Sequence, residues 1–227
     1  LDEDGKAQLA FVPRRSTGLT VVNDWACIGQ RTTSSGTVLV ENLPVEAFNL
    51  IPSWKSYDTP TLAGPFAQLT TAAIDAGIAR AALNDTVSFV NQFARPWIDA
   101  SVERAGDDPL TIYQIGALDS KLAAADALLE QAGKVLDRYK HDLSEETVAL
   151  ASVAVARAKI FTTEAALEAA TRLFELGGTR STHPRYNFDR HWRNGRVHTL
   201  HDPVRWKYHL LGNWVLNGKR PARHDWN

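Results

Sequence analysis

The chain has 227 residues, a formal net charge of -1 and 44% hydrophobic residues, a balance that excludes intrinsic disorder and is typical of a globular protein. No apolar run reaches the roughly 20 residues needed to cross a bilayer, and the first residues lack the basic-then-apolar order of a signal peptide. Cys27 is the single cysteine, which excludes an internal disulfide framework, and it is expected to be a buried, unreactive thiol. We therefore expect a cytoplasmic protein, and the absence of any methionine, even an initiator, predicts a fragment of a longer chain.

Short β-type runs dominate the beginning of the sequence. Residues 9–13, 18–22 and 37–45 are rich in β-branched side chains and are separated by turn-forming residues. Three strands are few for an independently stable domain, so we expect partner strands from outside this chain. Residues 51–60 contain two prolines and several polar turn formers, which indicates a linker. Residues 1–58 are therefore predicted to be a partial β domain with its linker.

The periodicity of the apolar residues then becomes helical, and residues 59–227 are predicted to form a helical unit. The first helix is dense in small residues, and the second repeats its apolar residues at alternating spacings of three and four. The third begins at Ser144, a favourable N-cap. The predicted helices are residues 62–94, 115–136, 144–178 and 203–215. The sequence thus predicts a mainly α fold, with an antiparallel four-helix bundle.

Positive charge and histidine are concentrated in the last part of the chain. Residues 180–227 contain ten Lys or Arg, three Asp or Glu, and six of the seven histidines. Such a segment should meet an anion, and a phosphate site and a basic subunit contact explain it equally well. Nucleic acid is not expected, because no recognised binding motif accompanies the charge. Residues 174–203 are loop-prone, basic and aromatic, and we expect the functional residues there.

Several residues of this segment suggest a ligand site. Gly177 and Gly178 can end the third helix as an αL cap, or they can allow a ligand to approach the backbone closely. Arg180 could hold a phosphate with two donors. The spacing of the nearby histidines matches no known ligand signature, and no acidic or cysteine cluster joins them, so no metal site is expected.

Three elements of this segment resemble the acyl-CoA dehydrogenase superfamily in order and spacing. Residues 177–178, 193–196 and 201–203 read Gly-Gly, Arg-Asn-Gly-Arg and His-Asp-Pro, where the family has a Gly-Gly turn, an Arg-Asp-Ala-Arg element and a Tyr-Glu-Gly-Thr element. Residues 24–45 resemble the latter half of the family's central β domain. Residues 93–97 lie where the family has an arginine and an aromatic that reach a flavin. The resemblance covers essentially the whole chain.

This resemblance implies the latter half of a β domain followed by a C-terminal four-helix bundle, without the N-terminal part of the family fold. It also implies a homotetramer or a dimer. The missing part would hold much of the flavin site. The chain alone is therefore not expected to form a complete active site.

One departure from the dehydrogenase pattern indicates a different reaction. The family's catalytic glutamate is replaced by Asp202, which is one methylene shorter and follows His201. Because a general base must come within about 3 Å of its proton, this change counts against dehydrogenation. The His-Asp pair resembles the branch of dibenzothiophene and dimethylsulfone monooxygenases. That resemblance implies a two-component enzyme in which a separate flavin reductase supplies reduced FMN, which acts with O2 on a small substrate such as an organosulfur compound.

The same resemblance assigns roles to individual residues. His201 would lie over the flavin and hydrogen-bond the activated oxygen, and Asp202 would orient it. Trp25 would line the substrate pocket, although it could equally be a packing residue. The implied cofactor-binding residues are Arg95, Gly177, Gly178 and Arg180. Without the family context, His201 and Asp202 would be read as a surface ion pair or as the cap of the last helix.

Two alternatives remain open at this point. The first is an acyl-CoA dehydrogenase that uses FAD, with Asp202 as its base. The second is a non-catalytic oligomerisation module, in which the Ala-rich helices assemble subunits and the basic segment is a subunit contact.

Overall fold

The computed structural model describes residues 4–227, so that residues 1–3 of the predicted β segment lie outside the described residues. Its strands are short and form two separate antiparallel pairs, β1 with β4 and β2 with β3. The strands are β1 (Leu9–Ala10), β2 (Leu19–Val21), β3 (Val38–Val40) and β4 (Leu50–Ile51). Each predicted β-type run contains a strand, and β4 ends at the first residue of the predicted linker. Phe11, Val40 and Phe48 are exposed, because two-stranded ribbons cannot cover both of their faces.

Five α-helices follow in the described part of the chain. They are α1 (Ala63–Phe93), α2 (Pro109–Tyr139), α3 (Glu145–Gly177), α4 (Asp189–His198) and α5 (Arg205–Asn217). The three long helices confirm the predicted ones. Asp108 caps α2 by accepting from the amide of Leu110 at 2.8 Å, and Ser144 caps α3 in a capping box with Thr147.

The expectation that residues 174–203 are loop-prone was wrong for α4. This helix is short and polar, so it shows no long apolar stripe. Its stabilisation is electrostatic instead. Asp189 lies in the first turn, and it accepts from Arg193 Nε at 2.8 Å one turn later. Arg196 lies in the last turn, where its positive charge interacts favourably with the negative end of the helix dipole.

The three long helices run up, down and up. Side-chain contacts between the helices establish these directions: Arg80–Asp126 for α1 with α2, Gln114–Glu175 and Lys121–Glu168 for α2 with α3, and Asp75–Lys159 and Phe89–Gly177 for α1 with α3. Fully buried alanines of α1 and α3, such as Ala82 and Ala166, lie in one core cluster. Their small side chains allow the two helices to approach closely.

The β segment is attached to the helices through α4. The backbone N–H of Gln30 donates to Asn194 Oδ1 at 2.9 Å, and Arg193 Nη1 donates to the carbonyl of Ile28 at 3.1 Å. A Cβ atom at Gly29 would overlap the backbone carbonyl of Arg193. Glycine is therefore required at this turn, because the two backbones are in direct contact.

Candidate functional site

His201 and Asp202 lie on the turn between α4 and α5 and line a cavity of about 610 Å³. Residues of α5, including Trp206, and residues 219–227, including Trp226, form the remaining walls. The volume lies within the roughly 300–1,000 Å³ of typical ligand pockets. Trp206 and Trp226 supply aromatic surface, and His201, Asp202 and Lys207 are among the polar groups, a combination that suits a small organic molecule.

Asp202 is buried beside three positively charged or protonatable groups. Its Oδ1 lies 4.0 Å from Lys159 Nζ and 3.6 Å from His201 Nδ1, and its Oδ2 lies 3.6 Å from Lys207 Nζ. Neither carboxylate oxygen has a hydrogen-bond partner among the residues that the structure describes. Val204, and not Asp202, is the N-cap of α5, and no side chain caps it. The readings of Asp202 as a surface residue or helix cap were therefore wrong.

A second buried carboxylate, Asp75 of α1, lies on the other side of Lys159. Asp75 accepts from Lys159 Nζ at 3.2 Å and from Thr163 Oγ1 at 2.8 Å, and its Oδ1 lies 2.6 Å from His198 Nδ1. Burial alone would raise the pKa of Asp75, but the hydrogen bond with His198 and the charge of Lys159 outweigh it and lower this pKa. Burial lowers the pKa of Lys207, although Asp202 opposes the shift.

The three histidines His191, His198 and His201 each contact a different carboxylate. His191 Nε2 lies 2.7 Å from Asp85 Oδ2, whereas His198 and His201 contact Asp75 and Asp202. Within residues 4–227, no group of three or more His, Cys, Asp or Glu side chains could hold a metal ion. The three histidines thus connect α4 and its following turn to separate acidic residues.

His191 should make stability depend on pH. Burial lowers its pKa below 6.5, although the hydrogen bond with Asp85 opposes the shift. Because the unfolded chain then binds the proton more readily, stability should decrease as the pH falls from about 6.5 through the lower pKa of the folded state. Urea unfolding at pH 5 to 8 gives the free energy of unfolding at each pH, and this free energy should change less with pH in His191→Asn than in wild type. The matched variant at an exposed histidine, His141→Asn, should show the same change with pH as wild type. An equal pH dependence in all three proteins would contradict the prediction.

Both predicted glycines have roles that the chain itself explains. Gly178 is the C-cap residue of α3, but its φ of 62° and ψ of -173° lie outside the αL region, so the expectation of an αL cap was wrong. A Cβ at Gly177 would lie 2.7 Å from Ser181 Cβ and 3.1 Å from the ring of Phe89. A side chain here would therefore overlap Ser181 and crowd the Phe89 ring of α1. Cofactor contact by either glycine stays a prediction.

Arg180 follows this turn and is held with its charge exposed. Its guanidinium carbon lies 4.4 Å from the centre of the Phe93 ring, and its Nε donates to Tyr186 Oη at 3.3 Å. Arg185 donates to the same hydroxyl. Desolvation would raise the pKa of Tyr186, but the two guanidiniums outweigh it and lower this pKa. Two cations on one surface can attract an anion. Arg95 is also exposed, just beyond the end of α1.

Trp25 lies apart from the residues that line the cavity. Its indole N–H donates to the carbonyl of Gln30 at 2.8 Å, and the residue is partly buried. This contact fixes the turn that meets α4. Cys27 is only partly buried, so the expectation of a buried thiol was wrong.

Sequence reasoning missed the buried charges of Asp75, Lys159 and Lys207. The available signal was a charged residue on an otherwise apolar helix face. Lys159 stands four residues after Val155 and four before Thr163, and these neighbours are buried. Such a position in a core requires an ionic partner.

Comparisons with known proteins agree with this architecture. The family model described as "Acyl-CoA dehydrogenase, C-terminal domain" matches residues 69–206. The probable FMNH2-dependent monooxygenase SfnC of Pseudomonas putida is 37% identical over 223 residues, covering 96% of this chain and 56% of its own length. The dibenzothiophene monooxygenase of Mycolicibacterium goodii is 36% identical over 230 residues, covering 96% of this chain and 55% of its own length. The chain therefore spans little more than half of these relatives.

Solved structures show the same fold over the whole chain. Methanesulfinate monooxygenase MsuC from Pseudomonas fluorescens is 35% identical, with a TM-score of 0.93. The complex of TdsC from Paenibacillus sp. A11-2 with FMN and indole is 30% identical, also with a TM-score of 0.93. Each alignment covers 100% of this chain and 60% of the other. None of the helices within residues 4–227 is both long and apolar enough to span a lipid bilayer. The chain thus belongs to the acyl-CoA dehydrogenase C-terminal domain family, as its motifs predicted.

Proposed function

We propose that this chain is the C-terminal part of a two-component flavin monooxygenase, which uses reduced FMN and O2 to oxygenate a small organosulfur compound. The observation that carries the proposal is the position of the His201-Asp202 pair on the wall of the cavity. Relatives that match nearly the whole chain are named as FMNH2-dependent and dibenzothiophene monooxygenases. The protein is accordingly an oxidoreductase.

His201 is the group that would act on flavin or substrate. About 58% of its side chain is exposed, and an imidazole can donate or accept a proton near neutral pH. Asp202 is buried beneath it and orients the ring. Bound reduced FMN would supply the electrons that activate oxygen. The protein residues would hold the reactants and transfer protons.

The remaining predicted site residues would bind cofactor and substrate. Arg180 and Arg95 would contact the flavin phosphate, one of them across a subunit interface, and the exposed, aromatic-stacked guanidinium of Arg180 suits this role. Gly177 and Gly178 would let the cofactor approach the end of α3. Trp25 would line the substrate pocket together with residues outside this chain.

The environment of Asp202 disfavours the acyl-CoA dehydrogenase alternative with FAD. A base for that reaction must reach the substrate, but Asp202 is buried and bracketed by Lys159 and Lys207. Asp202 and His201 both line the cavity, but the side chain of His201 is 58% exposed and that of Asp202 is 6% exposed. A purely structural oligomerisation module would not require buried charges beside an exposed histidine in a cavity.

We also propose the finer organisation of the protein. Residues 1–58 would complete a β domain with strands from elsewhere, and residues 59–227 would form the four-helix bundle with the flavin-site segment. Exposed apolar residues of α2 and α5, such as Tyr113 and Leu216, would contact other subunits of a homotetramer or dimer. The enzyme would be cytoplasmic, and a flavin reductase would be its partner.

The test uses the intact protein as its gene encodes it. FMN, NADH, a flavin reductase and ¹⁸O₂ are supplied with dibenzothiophene, dimethyl sulfone or methanesulfinate, and the products are analysed by mass spectrometry. We expect one ¹⁸O atom per oxygenation, dependent on reduced FMN. Reduction of bound FAD by an acyl-CoA without oxygen incorporation would support the dehydrogenase. A protein that binds neither flavin would be the structural module.

Replacing Arg180 should weaken FMN binding through the phosphate. Hydrogen bonds to charged groups contribute about 1.5–3 kcal/mol, so Arg180→Ala should raise the dissociation constant roughly 10- to 100-fold. Calorimetric titration with FMN and with riboflavin separates the contribution of the phosphate to binding from that of the flavin ring. Riboflavin lacks the phosphate, so its affinity should change little. Equal losses for both ligands would show that Arg180 does not contact the phosphate.

A further inference from the structure

Four buried charged side chains form an alternating series through the helical unit. In order they are Asp75 of α1, Lys159 of α3, Asp202 before α5 and Lys207 of α5, with successive nitrogen–oxygen distances of 3.2, 4.0 and 3.6 Å. Each residue is at most 5% exposed. Two carboxylates and two ammonium groups balance each other, which is the condition for burying charge. The series leads from the α1–α3 core to the wall of the cavity.

The two carboxylates of the series are held in different ways. Asp75 has hydrogen bonds from Lys159 and Thr163 and a close contact with His198. Asp202 has no hydrogen-bond partner for either oxygen within residues 4–227, so the two ammonium groups hold it by charge alone. Lys159 lies between the two carboxylates and is close to both of them. Its hydrogen bond to Asp75 fixes the ammonium group, and its charge then attracts Asp202.

The position of Asp202 determines what His201 can do. Their closest atoms, Oδ1 and Nδ1, are 3.6 Å apart, slightly beyond a hydrogen bond. A carboxylate that accepts from Nδ1–H leaves Nε2 as the free nitrogen of the ring. We propose that Lys159 is a positioning residue, which places Asp202 from the α1–α3 core and thereby selects the tautomer of His201. The proposal rests on the function proposed for His201 and adds a residue that contacts neither flavin nor substrate.

The alternative is that Lys159 merely balances the charge of Asp75. The double variant Asp75→Asn/Lys159→Met separates the two roles, because it removes both members of the inner pair and leaves the series neutral. The asparagine oxygen can still accept from Thr163, and methionine fills a volume similar to that of the lysine stem. If Lys159 only balances Asp75, the double variant should behave as wild type. If Lys159 positions Asp202, the outer pair should be disturbed even in a stable protein.

The experiment measures the tautomer of His201 directly in the intact protein. Histidine is labelled with ¹⁵N, and the His201 signals are assigned by their loss in His201→Ala. We expect wild type to favour the Nδ1–H form, and both Asp202→Ala, which removes the acceptor, and the double variant to reduce its population severalfold. A wild-type population in the double variant, or no change in Asp202→Ala, overturns the proposal. Urea unfolding of each protein shows whether it is folded. The variant Lys159→Arg keeps the positive charge and should retain most of the wild-type population of the Nδ1–H form.

Turnover with reduced FMN provides the second measurement. The double variant should lower kcat at least tenfold and leave KM for the sulfur substrate within about twofold, because Lys159 is not in the cavity wall. A double variant with both the stability and the kcat of wild type would instead show that Lys159 has only a structural role. A wild-type protein with no oxygenation activity would refute the proposed function, and the tautomer measurement would still decide whether Lys159 positions Asp202.

Discussion

Replacing His201 with alanine should lower turnover by roughly 10²- to 10⁴-fold, the usual contribution of a positioned acid or base. The effect should fall on kcat, because the imidazole would act on the reacting groups and contribute little to the apolar walls that bind substrate. Its side chain is more than half exposed, so folding should be nearly unaffected. Reductase-coupled product formation gives kcat and KM, and mixing the reduced enzyme with oxygen in a stopped-flow instrument follows the flavin itself.

Two matched variants distinguish this chemical role from a general effect of losing a histidine. His141→Ala removes an exposed histidine at the turn after α2 and should retain wild-type turnover. His201→Gln keeps a hydrogen-bonding side chain but no titratable proton, so it should remain close to the alanine variant. Full activity of His201→Gln would mean that the side chain only hydrogen-bonds and transfers no proton.

The largest loss of stability is expected for Asp75→Ala, at about 3–5 kcal/mol. The reason is that Lys159, which is 1% exposed, would lose its hydrogen-bonded carboxylate and remain charged in the core. Thr163 and His198 would lose the same acceptor. Urea unfolding monitored by circular dichroism measures the change in the free energy of unfolding. Asp75→Asn should cost less, because its amide oxygen can still accept from Thr163.

An exposed carboxylate of the same bundle provides the comparison. Asp126 of α2 forms an ion pair with Arg80 of α1, and both side chains are at least 40% exposed. Asp126→Ala should therefore cost less than about 1 kcal/mol. If Asp75→Ala and Asp126→Ala lowered the free energy of unfolding equally, burial would not be the source of the loss. The buried charge series would then contribute no more to stability than a surface ion pair does.

The sequence predicted the long helices well and the polar interior poorly, for a physical reason. A helix with a regular apolar face or a clear cap, such as Ser144, is specified by local pattern. The helix α4 has neither, and its ion pairs are visible only once its bounds are known. Burial of Asp75 and Lys159 depends on residues about 84 positions apart in sequence, which no local pattern contains. His201 and Asp202 could be predicted as site residues because their motif is local, and their roles stay a prediction.

Trp25 shows a different limit of sequence reasoning. A tryptophan is equally consistent with a ligand pocket and with packing in a core. The hydrogen bond from Trp25 to Gln30 forms only when the chain turns between these two residues, which are five positions apart. That turn is specified in part by its contact with α4, which lies more than 160 positions away. Local sequence therefore could not predict the contacts of Trp25, and its role in a substrate pocket stays a prediction.

One wall of the cavity is held by buried contacts, and the other includes exposed positions. The turn that carries His201 is anchored at its start by His198 on Asp75 and at its end by Lys207, which donates to Asn227 Oδ1 at 3.2 Å. Exposed positions on the opposite wall, such as Arg220, have no comparable buried partner. In the proposed monooxygenase, substitutions at such exposed positions would therefore reshape the cavity without displacing His201 and Asp202.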